Sequence, residues 1–183
     1  MVSGIFHLHG VWVGNCRKPD HLNEKGYFEN QDVKRFLKQH CGTLVQRCEV
    51  AEESDDFLKA VEELNPKSPW LVKHSAMYWK VWRPLEPLYV CVRRSIEGSV
   101  KSNRQTGMVG KKNIRKIIER HHEEMDNSGG IDIFTDDVIS GDDSSLKRAI
   151  EHCGLVYDPE ITKDFVDPRL WHFTSQTTTT STT

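Results

Sequence analysis

Two adjacent arginines stand between a short apolar run and a helical pattern, and this order constrains the fold more than any other part of the chain. Leu88–Val92 predicts a short buried strand. Arg93 and Arg94 follow it directly, and Ser95–Arg104 then predicts a helix. In open α/β sheets, ligands bind beyond the carboxyl ends of the strands, where helix N-termini present backbone N–H groups. The segment therefore predicts an anion site at the end of this strand.

The spacing of Arg94 and Ser102 suits a phosphate as the anion. Ser102 lies eight residues after Arg94, a little over two turns at about 3.6 residues per turn. A helix beginning at Ser95 could therefore bring Ser102 back toward the side on which Arg94 sits, and arginine supplies a planar fork of donors. Strand side chains alternate, so we expect either Arg93 or Arg94 to point away from the cleft. The alternative is a surface arginine with an ordinary helix serine.

Short apolar runs alternate with helical patterns along the chain, which is typical of an α/β fold with a parallel sheet. Helices are predicted at Met1–Val13, Phe28–His40, Ser54–Leu64, Ser95–Arg104, Asn113–Met125 and Asp142–Cys153, with a further short helix within Asp158–Phe173 and a turn or helix at Ser75–Trp82. Short strands are predicted at Trp70–Lys73, Leu88–Val92 and Ile131–Phe134, and Leu44–Val50 could be a strand or a loop. We expect one domain over residues 1–173, followed by a disordered Thr/Ser-rich tail over residues 174–183.

The composition excludes several classes of protein. Of the 183 residues 37% are hydrophobic, which favours a folded domain over disorder, and the net charge of −2 does not suggest non-specific binding of nucleic acid. The five cysteines are scattered without a CxxC motif, so we predict no metal site and expect a reducing cytoplasm. No apolar run approaches the roughly 20 residues of a membrane span, and the N-terminus does not have the pattern of a signal peptide.

Three blocks stand in order along the chain: Leu8–Gly14 with Asn23–Glu29, Trp70–Tyr78, and Tyr89–Ser102. Together they resemble the sulfotransferases that depend on PAPS (3′-phosphoadenosine-5′-phosphosulfate). Leu8–Gly14 with Asn23–Glu29 is similar to the stretch that follows the phosphate loop in bacterial members. Trp70–Tyr78 is similar to the strand–Lys–x–(Ser/His) element that precedes the nucleotide strand. Tyr89–Ser102 matches the strand–Arg–(seven residues)–Ser signature that holds the 3′-phosphate in this family. The C-terminal half, including Ile131–Val138, also resembles the bacterial proteins.

This resemblance covers nearly all of residues 1–173 and implies a fold, a reaction and a donor. The implied fold is P-loop NTPase-like, with three layers and a small parallel sheet. The implied reaction transfers a sulfuryl group from PAPS to a hydroxyl or amine acceptor, without a metal. Family members carry a first strand and an Arg-Ser-Gly-Thr type loop that grips the 5′-phosphosulfate. The sequence given begins where the helix after that loop would already be running, so we expect this strand and loop to be absent from it.

The resemblance also implies roles for individual residues. Arg94 and Ser102 correspond to the ligands of the 3′-phosphate, and Arg93 replaces Arg94 if the assignment is shifted by one residue. Each has a plainer alternative as a surface or helix residue.

Three further residues are implied in the transfer step. Lys73 would stabilise charge on the transferring group, with a solvated lysine at a strand end as the alternative. His74 corresponds to the catalytic histidine of the family with an offset of one residue, and an imidazole can act as a base near neutral pH. Glu29 is the second candidate base, with a surface glutamate at a helix start as the alternative.

Two other hypotheses about the function of the chain stay open. One is a catalytically inactive remnant that binds a nucleotide or serves as an interaction module. The other is a relative of the P-loop kinases, which would require a Gly-Lys-Ser/Thr loop upstream. A basic stretch could contact an anionic ligand or form a solvated helix face, and it consists of Lys101, Arg104, Lys111, Lys112, Arg115, Lys116 and Arg120. The segment His121–Glu124 is interpreted as a polar helix end rather than a metal site.

Overall fold

The computed structural model describes residues 1–20, 23–41, 55–106 and 113–170 of the chain. The predictions for Leu44–Val50 and for the tail over residues 174–183 lie outside these ranges. The described ranges contain eight α-helices: α1 (Val2–Leu8), α2 (Gln31–Cys41), α3 (Asp55–Glu63), α4 (Ile96–Thr106), α5 (Ile114–Ser128), α6 (Thr135–Ser140), α7 (Ser144–His152) and α8 (Pro159–Phe165). They also contain the strands β1 (Val90–Arg93) and β2 (Ile131–Phe134), and the 3₁₀ helices Ala76–Leu85 and Pro168–Leu170.

The two strands form a small parallel sheet. Val90 lies opposite Ile131, and Arg93 lies opposite Phe134. Parallel neighbours need a long crossover connection, and here α4 and α5 supply it. The predicted α/β character with a small parallel sheet is therefore confirmed at this level. The predicted strand Ile131–Phe134 is confirmed over its whole length.

The prediction of a strand over Trp70–Lys73 is wrong, because this segment does not form a regular strand. Trp70 instead makes a single parallel bridge to Trp12, with Trp12 N–H donating to the Pro69 carbonyl at 2.8 Å and Leu71 N–H donating to the Trp12 carbonyl at 2.9 Å. The partner segment lies between Gly10 and Gly14, which both have positive φ, at 91° and 72°. Since these glycines turn the chain on both sides of Trp12, only a short stretch stays extended enough to pair.

The predicted helices within the described ranges all have counterparts, with shifted ends. The first helix is much shorter than the predicted Met1–Val13. It ends at Leu8, and Gly10 follows with positive φ. The 3₁₀ helix Ala76–Leu85 begins after Ser75 and continues through Pro84, beyond the predicted end at Trp82. Helix α6, which follows β2 without a loop, was not predicted. Among the described residues, no helix has the length and apolarity needed to cross a membrane.

Three groups of buried side chains hold these elements together. The first joins α1, β2, α6 and α7, and its buried members are Val2, Ile5, Phe6, Val11, Ile133, Val138, Leu146, Ala149 and Ile150. The second joins α2, α3 and the 3₁₀ helix Ala76–Leu85, and consists of Val33, Phe36, Leu37, Val61, Val81 and Trp82. The third joins α4 to α5 and consists of Val100, Ile114 and Ile118. The 3₁₀ helix, β1 and the C-terminal part of α5 line a common cavity.

Candidate functional site

A cavity of about 960 Å³ lies between α1, the segment over residues 69–75, the 3₁₀ helix Ala76–Leu85, β1 and the end of α5. Its walls are largely apolar, and aromatic rings are prominent among them, including Phe6, Phe28, Trp70, Trp79, Trp82 and Tyr89. Ligand sites in proteins have volumes of about 300–1,000 Å³ and combine such walls with a few polar groups. The polar groups of this cavity include Lys73, His74, Ser75, Arg94 and Glu124.

Arg94 lines the cavity directly after the end of β1. Its Nε lies 3.9 Å from Asp136 Oδ1, and a Cβ atom placed on Gly98 would come within 3.1 Å of the same nitrogen. The guanidinium therefore lies against the first turn of α4, where backbone N–H groups favour anions. Burial lowers the pKa of Arg94 below its usual value, although Asp136 acts in the opposite direction. A partly desolvated guanidinium in an apolar cavity is a suitable group to receive an anionic ligand.

Arg93 has a different environment from its neighbour. Its Nε donates to Asp132 Oδ1 at 2.6 Å, and a terminal nitrogen donates to Asp126 Oδ1 at 2.5 Å. Burial lowers the pKa of Arg93, but the two carboxylates outweigh burial, so the net pKa is raised. Only one of the two adjacent arginines was expected at the cavity, because strand side chains alternate. Arg94 lines the cavity, whereas Arg93 is bound by carboxylates of α5 and β2. A role for Arg93 as a nucleotide ligand stays a prediction.

Ser102 does not line the cavity. It lies in α4, six residues after Ile96, and a rise of about 1.5 Å per residue places it about 9 Å further along the helix axis. Its side chain is half-buried. Arg94 and Ser102 thus share the predicted strand–helix unit, while only Arg94 faces the cavity.

Glu29 and Lys73 are brought together although they are far apart in sequence. Lys73 Nζ lies 3.4 Å from Glu29 Oε1 and donates to the Tyr27 carbonyl at 2.8 Å, and Glu29 also forms an ion pair with Lys34. Burial raises the pKa of Glu29, but hydrogen bonds and charge from Lys34 and Lys73 outweigh burial and lower it. A carboxylate with a lowered pKa is a weak base. The contacts of Glu29 therefore suit the positioning of Lys73 better than the removal of a proton.

His74 has the properties of a neutral base. Its ring packs against Trp82, with centroids 5.8 Å apart, and against Tyr78, with centroids 5.6 Å apart. Its Nδ1 lies 2.6 Å from the Ser75 carbonyl. A carbonyl can only accept, so Nδ1 carries the proton and Nε2 of the neutral ring is an acceptor. Burial lowers the pKa of His74 from its ordinary value of 6.5, which keeps the ring neutral at pH 7.

Because burial lowers the pKa of His74, we expect the folded protein to lose stability in acid. The folded chain takes up the His74 proton only below its lowered pKa, whereas the unfolded chain takes it up near 6.5, so the unfolded state binds more protons between the two values. Stability should therefore fall as the pH drops below 6.5, by at most about 1.4 kcal/mol from His74 at pH 5.5. Urea midpoints at pH 7.5 and pH 5.5 test this. His74→Phe, which keeps the ring against Trp82, should show a smaller difference; an equal difference would contradict the assignment.

Two contacts at the cavity were not predicted from sequence. Ser75 Oγ lies 2.7 Å from His121 Nε2, and Trp79 Nε1 donates to Glu124 Oε2 at 2.8 Å. Both join the 3₁₀ helix to α5 through the segment interpreted as a polar helix end. A signal for one of them is present in the sequence, because His121 continues the helical spacing of the buried Ile114 and Ile118.

Within the described ranges, no group of three or more His, Cys, Asp or Glu side chains is arranged to hold a metal ion. Comparison of the chain with protein-family models, with curated proteins and with solved structures found no match. The proposal for its function therefore depends on the cavity, the residues that line it and the sequence resemblance.

Proposed function

We propose that the chain binds PAPS in the cavity and transfers its sulfuryl group to a hydroxyl or amine acceptor. The observation that supports this proposal is that Arg94, Lys73 and His74 line one cavity whose other walls are mainly apolar and aromatic. A nucleotide needs both kinds of surface, because aromatic rings stack on its base and cationic side chains bind its phosphates. The P-loop-like three-layer arrangement is part of the same proposal.

Each polar group of the cavity has a role in the proposed reaction. Arg94 binds a phosphate of the donor, at the strand end where the first turn of α4 begins. His74 accepts the proton of the acceptor through Nε2, as the acceptor forms its bond to sulfur and the bond from sulfur to the phosphate oxygen breaks. Lys73 lies beside Glu29 and stabilises the charge that develops during this step.

The acceptor is expected to have an apolar body. The rings of Trp70, Trp79 and Trp82 line the cavity together with aliphatic side chains, and this surface offers few hydrogen bonds to a strongly polar acceptor. A reducing cytoplasm is the proposed setting, since Cys16, Cys91 and Cys153 are free thiols.

A second candidate function is nucleotide binding without transfer. Lys73 Nζ already contacts the Tyr27 carbonyl and Glu29, so its charge is largely satisfied within the protein. In this case the cavity holds a nucleotide through Arg94 and its aromatic walls, and the chain acts as a binding module.

Binding of adenosine 3′,5′-bisphosphate, measured by calorimetry, tests the shared part of both candidates. Arg94→Met is expected to weaken binding about 10–100-fold, because a charged hydrogen bond contributes about 1.5–3 kcal/mol. Arg115→Met is the matched control, since Arg115 is an exposed arginine of α5 that pairs with Glu97, and its binding constant should equal that of the wild type. Equal binding by Arg94→Met and the wild type would contradict the site.

Transfer is tested separately with PAPS labelled in the sulfuryl group and a set of apolar alcohols, phenols and amines. His74→Phe should keep the binding of adenosine 3′,5′-bisphosphate and lose transfer, because it removes the proposed base and retains the ring. Tight nucleotide binding by the wild type without transfer to any acceptor would favour the binding module.

A further inference from the structure

Ser75 and His121 form a hydrogen-bonded pair with a defined direction. His121 Nδ1 lies 2.7 Å from the Ile117 carbonyl, one turn earlier in α5, and Nε2 lies 2.7 Å from Ser75 Oγ. Since the carbonyl can only accept, Nδ1 carries the proton of the neutral ring. Nε2 is then the acceptor, and the Ser75 hydroxyl donates to it. This is the orientation that a serine needs in order to lose its proton to a base.

The serine of this pair is one of the residues that line the cavity. Ser75 lines the cavity beside His74, directly before the 3₁₀ helix Ala76–Leu85. The backbone N–H of Met77 donates to Ser75 Oγ at 3.3 Å. A donated hydrogen bond stabilises negative charge that develops on this oxygen when its proton leaves. The serine hydroxyl therefore has a base on one side and a backbone donor on another, and the residue belongs to the wall of a largely apolar cavity.

We propose that Ser75 is a nucleophile and His121 its general base, and that the pair takes the acyl group of activated esters that have an apolar body. Ser75 Oγ forms a bond to the carbonyl carbon, the bond from that carbon to the leaving oxygen breaks, and His121 passes the serine proton to the leaving oxygen. Water then attacks the acyl-serine, with His121 accepting a proton from the water and returning one to Ser75 Oγ. The net reaction is hydrolysis of the ester. The Ile117 carbonyl positions the imidazole, the part that a carboxylate plays in other serine–histidine sites.

The plainer interpretation is that Ser75 only caps the 3₁₀ helix. A cap needs an oxygen that accepts from Met77 N–H, whereas a nucleophile needs a hydroxyl that can donate to His121. Ser75→Asn separates the two roles, because the asparagine oxygen can accept the capping bond and its amide cannot act as the nucleophile. His121→Gln keeps a polar side chain in the helix and removes the base.

The test uses the full chain and an alkyl fluorophosphonate, a probe that reacts with activated serines. Attack by Ser75 Oγ on phosphorus forms an O–P bond and breaks the P–F bond, with fluoride leaving and His121 accepting the serine proton. Modified residues are identified by mass spectrometry of peptides. Ser128→Ala is the matched control, because Ser128 also lines the cavity but its hydroxyl donates to the Met125 carbonyl.

The expected result is labelling of the wild type at Ser75, no labelling of Ser75→Asn, and labelling of His121→Gln at least about 100-fold more slowly. Ser128→Ala should be labelled at the rate of the wild type. The proposal is overturned if the wild type is not labelled at Ser75, or if His121→Gln reacts as fast as the wild type. Circular dichroism of each variant shows whether its fold is retained. The result is independent of the binding of adenosine 3′,5′-bisphosphate, so either proposal can fail alone.

Discussion

Ile133→Ala is expected to lower the free energy of unfolding by about 3–5 kcal/mol. Ile133 is fully buried in the middle of β2, where it packs in the cluster that joins the strand to α1, α6 and α7. Removing three carbon atoms from such a position loses their burial and leaves a cavity that the surrounding helices fill only in part. Urea unfolding followed by circular dichroism measures the change.

Val156→Ala is the control for this prediction. Val156 is 89% exposed and follows α7, so its truncation should change stability by no more than about 0.5 kcal/mol. If Ile133→Ala also costs less than about 1 kcal/mol, the cluster around β2 does not form the main core.

The two paired strands were predictable because their signals are local. Ile131–Phe134 follows the pair Gly129-Gly130, and Leu88–Val92 is an apolar run bounded by Pro87 and two arginines. The observed β1 begins two residues later and includes Arg93. Trp70–Lys73 has an equally apolar pattern, yet its pairing depends on a segment near Trp12 that turns away at two glycines. Such a dependence on a distant segment is not visible in a local pattern.

The site shows the same division between local and distant effects. The order of strand, arginine and helix indicated Arg94 as a site residue, and the sequence resemblance indicated Lys73 and His74. The structure places all three at one cavity. Ser102 was also expected at the site from its spacing; it lies in α4 and is not among the residues that line this cavity, so its role stays a prediction. The contact between His121 and Ser75 was missed, because the two residues lie 46 positions apart in the sequence and belong to different elements.

Arg93→Met is expected to lower the free energy of unfolding by about 2–3 kcal/mol. The Arg93 side chain is only 13% exposed and donates to Asp132 and Asp126, which belong to β2 and to the end of α5. It therefore ties β1 both to its neighbour in the sheet and to the helix that crosses over to that neighbour. Methionine keeps most of the apolar stem, so the loss reports the two charged hydrogen bonds and the carboxylates left without them. Urea unfolding at pH 7.5 gives the value.

Arg115→Met provides the comparison, because Arg115 also pairs with a carboxylate, that of Glu97, but both side chains are exposed at the surface. A surface ion pair contributes about 0–1 kcal/mol, so the difference between the two arginine variants measures what burial and the second carboxylate add. The double variant Arg93→Met with Asp132→Asn should lose less free energy of unfolding than the sum of the losses in the two single variants, since each single change removes the same hydrogen bond. Equal stability losses for Arg93→Met and Arg115→Met would mean that Arg93 is not held at the sheet. It would then be available to an anion, as the sequence alone allows.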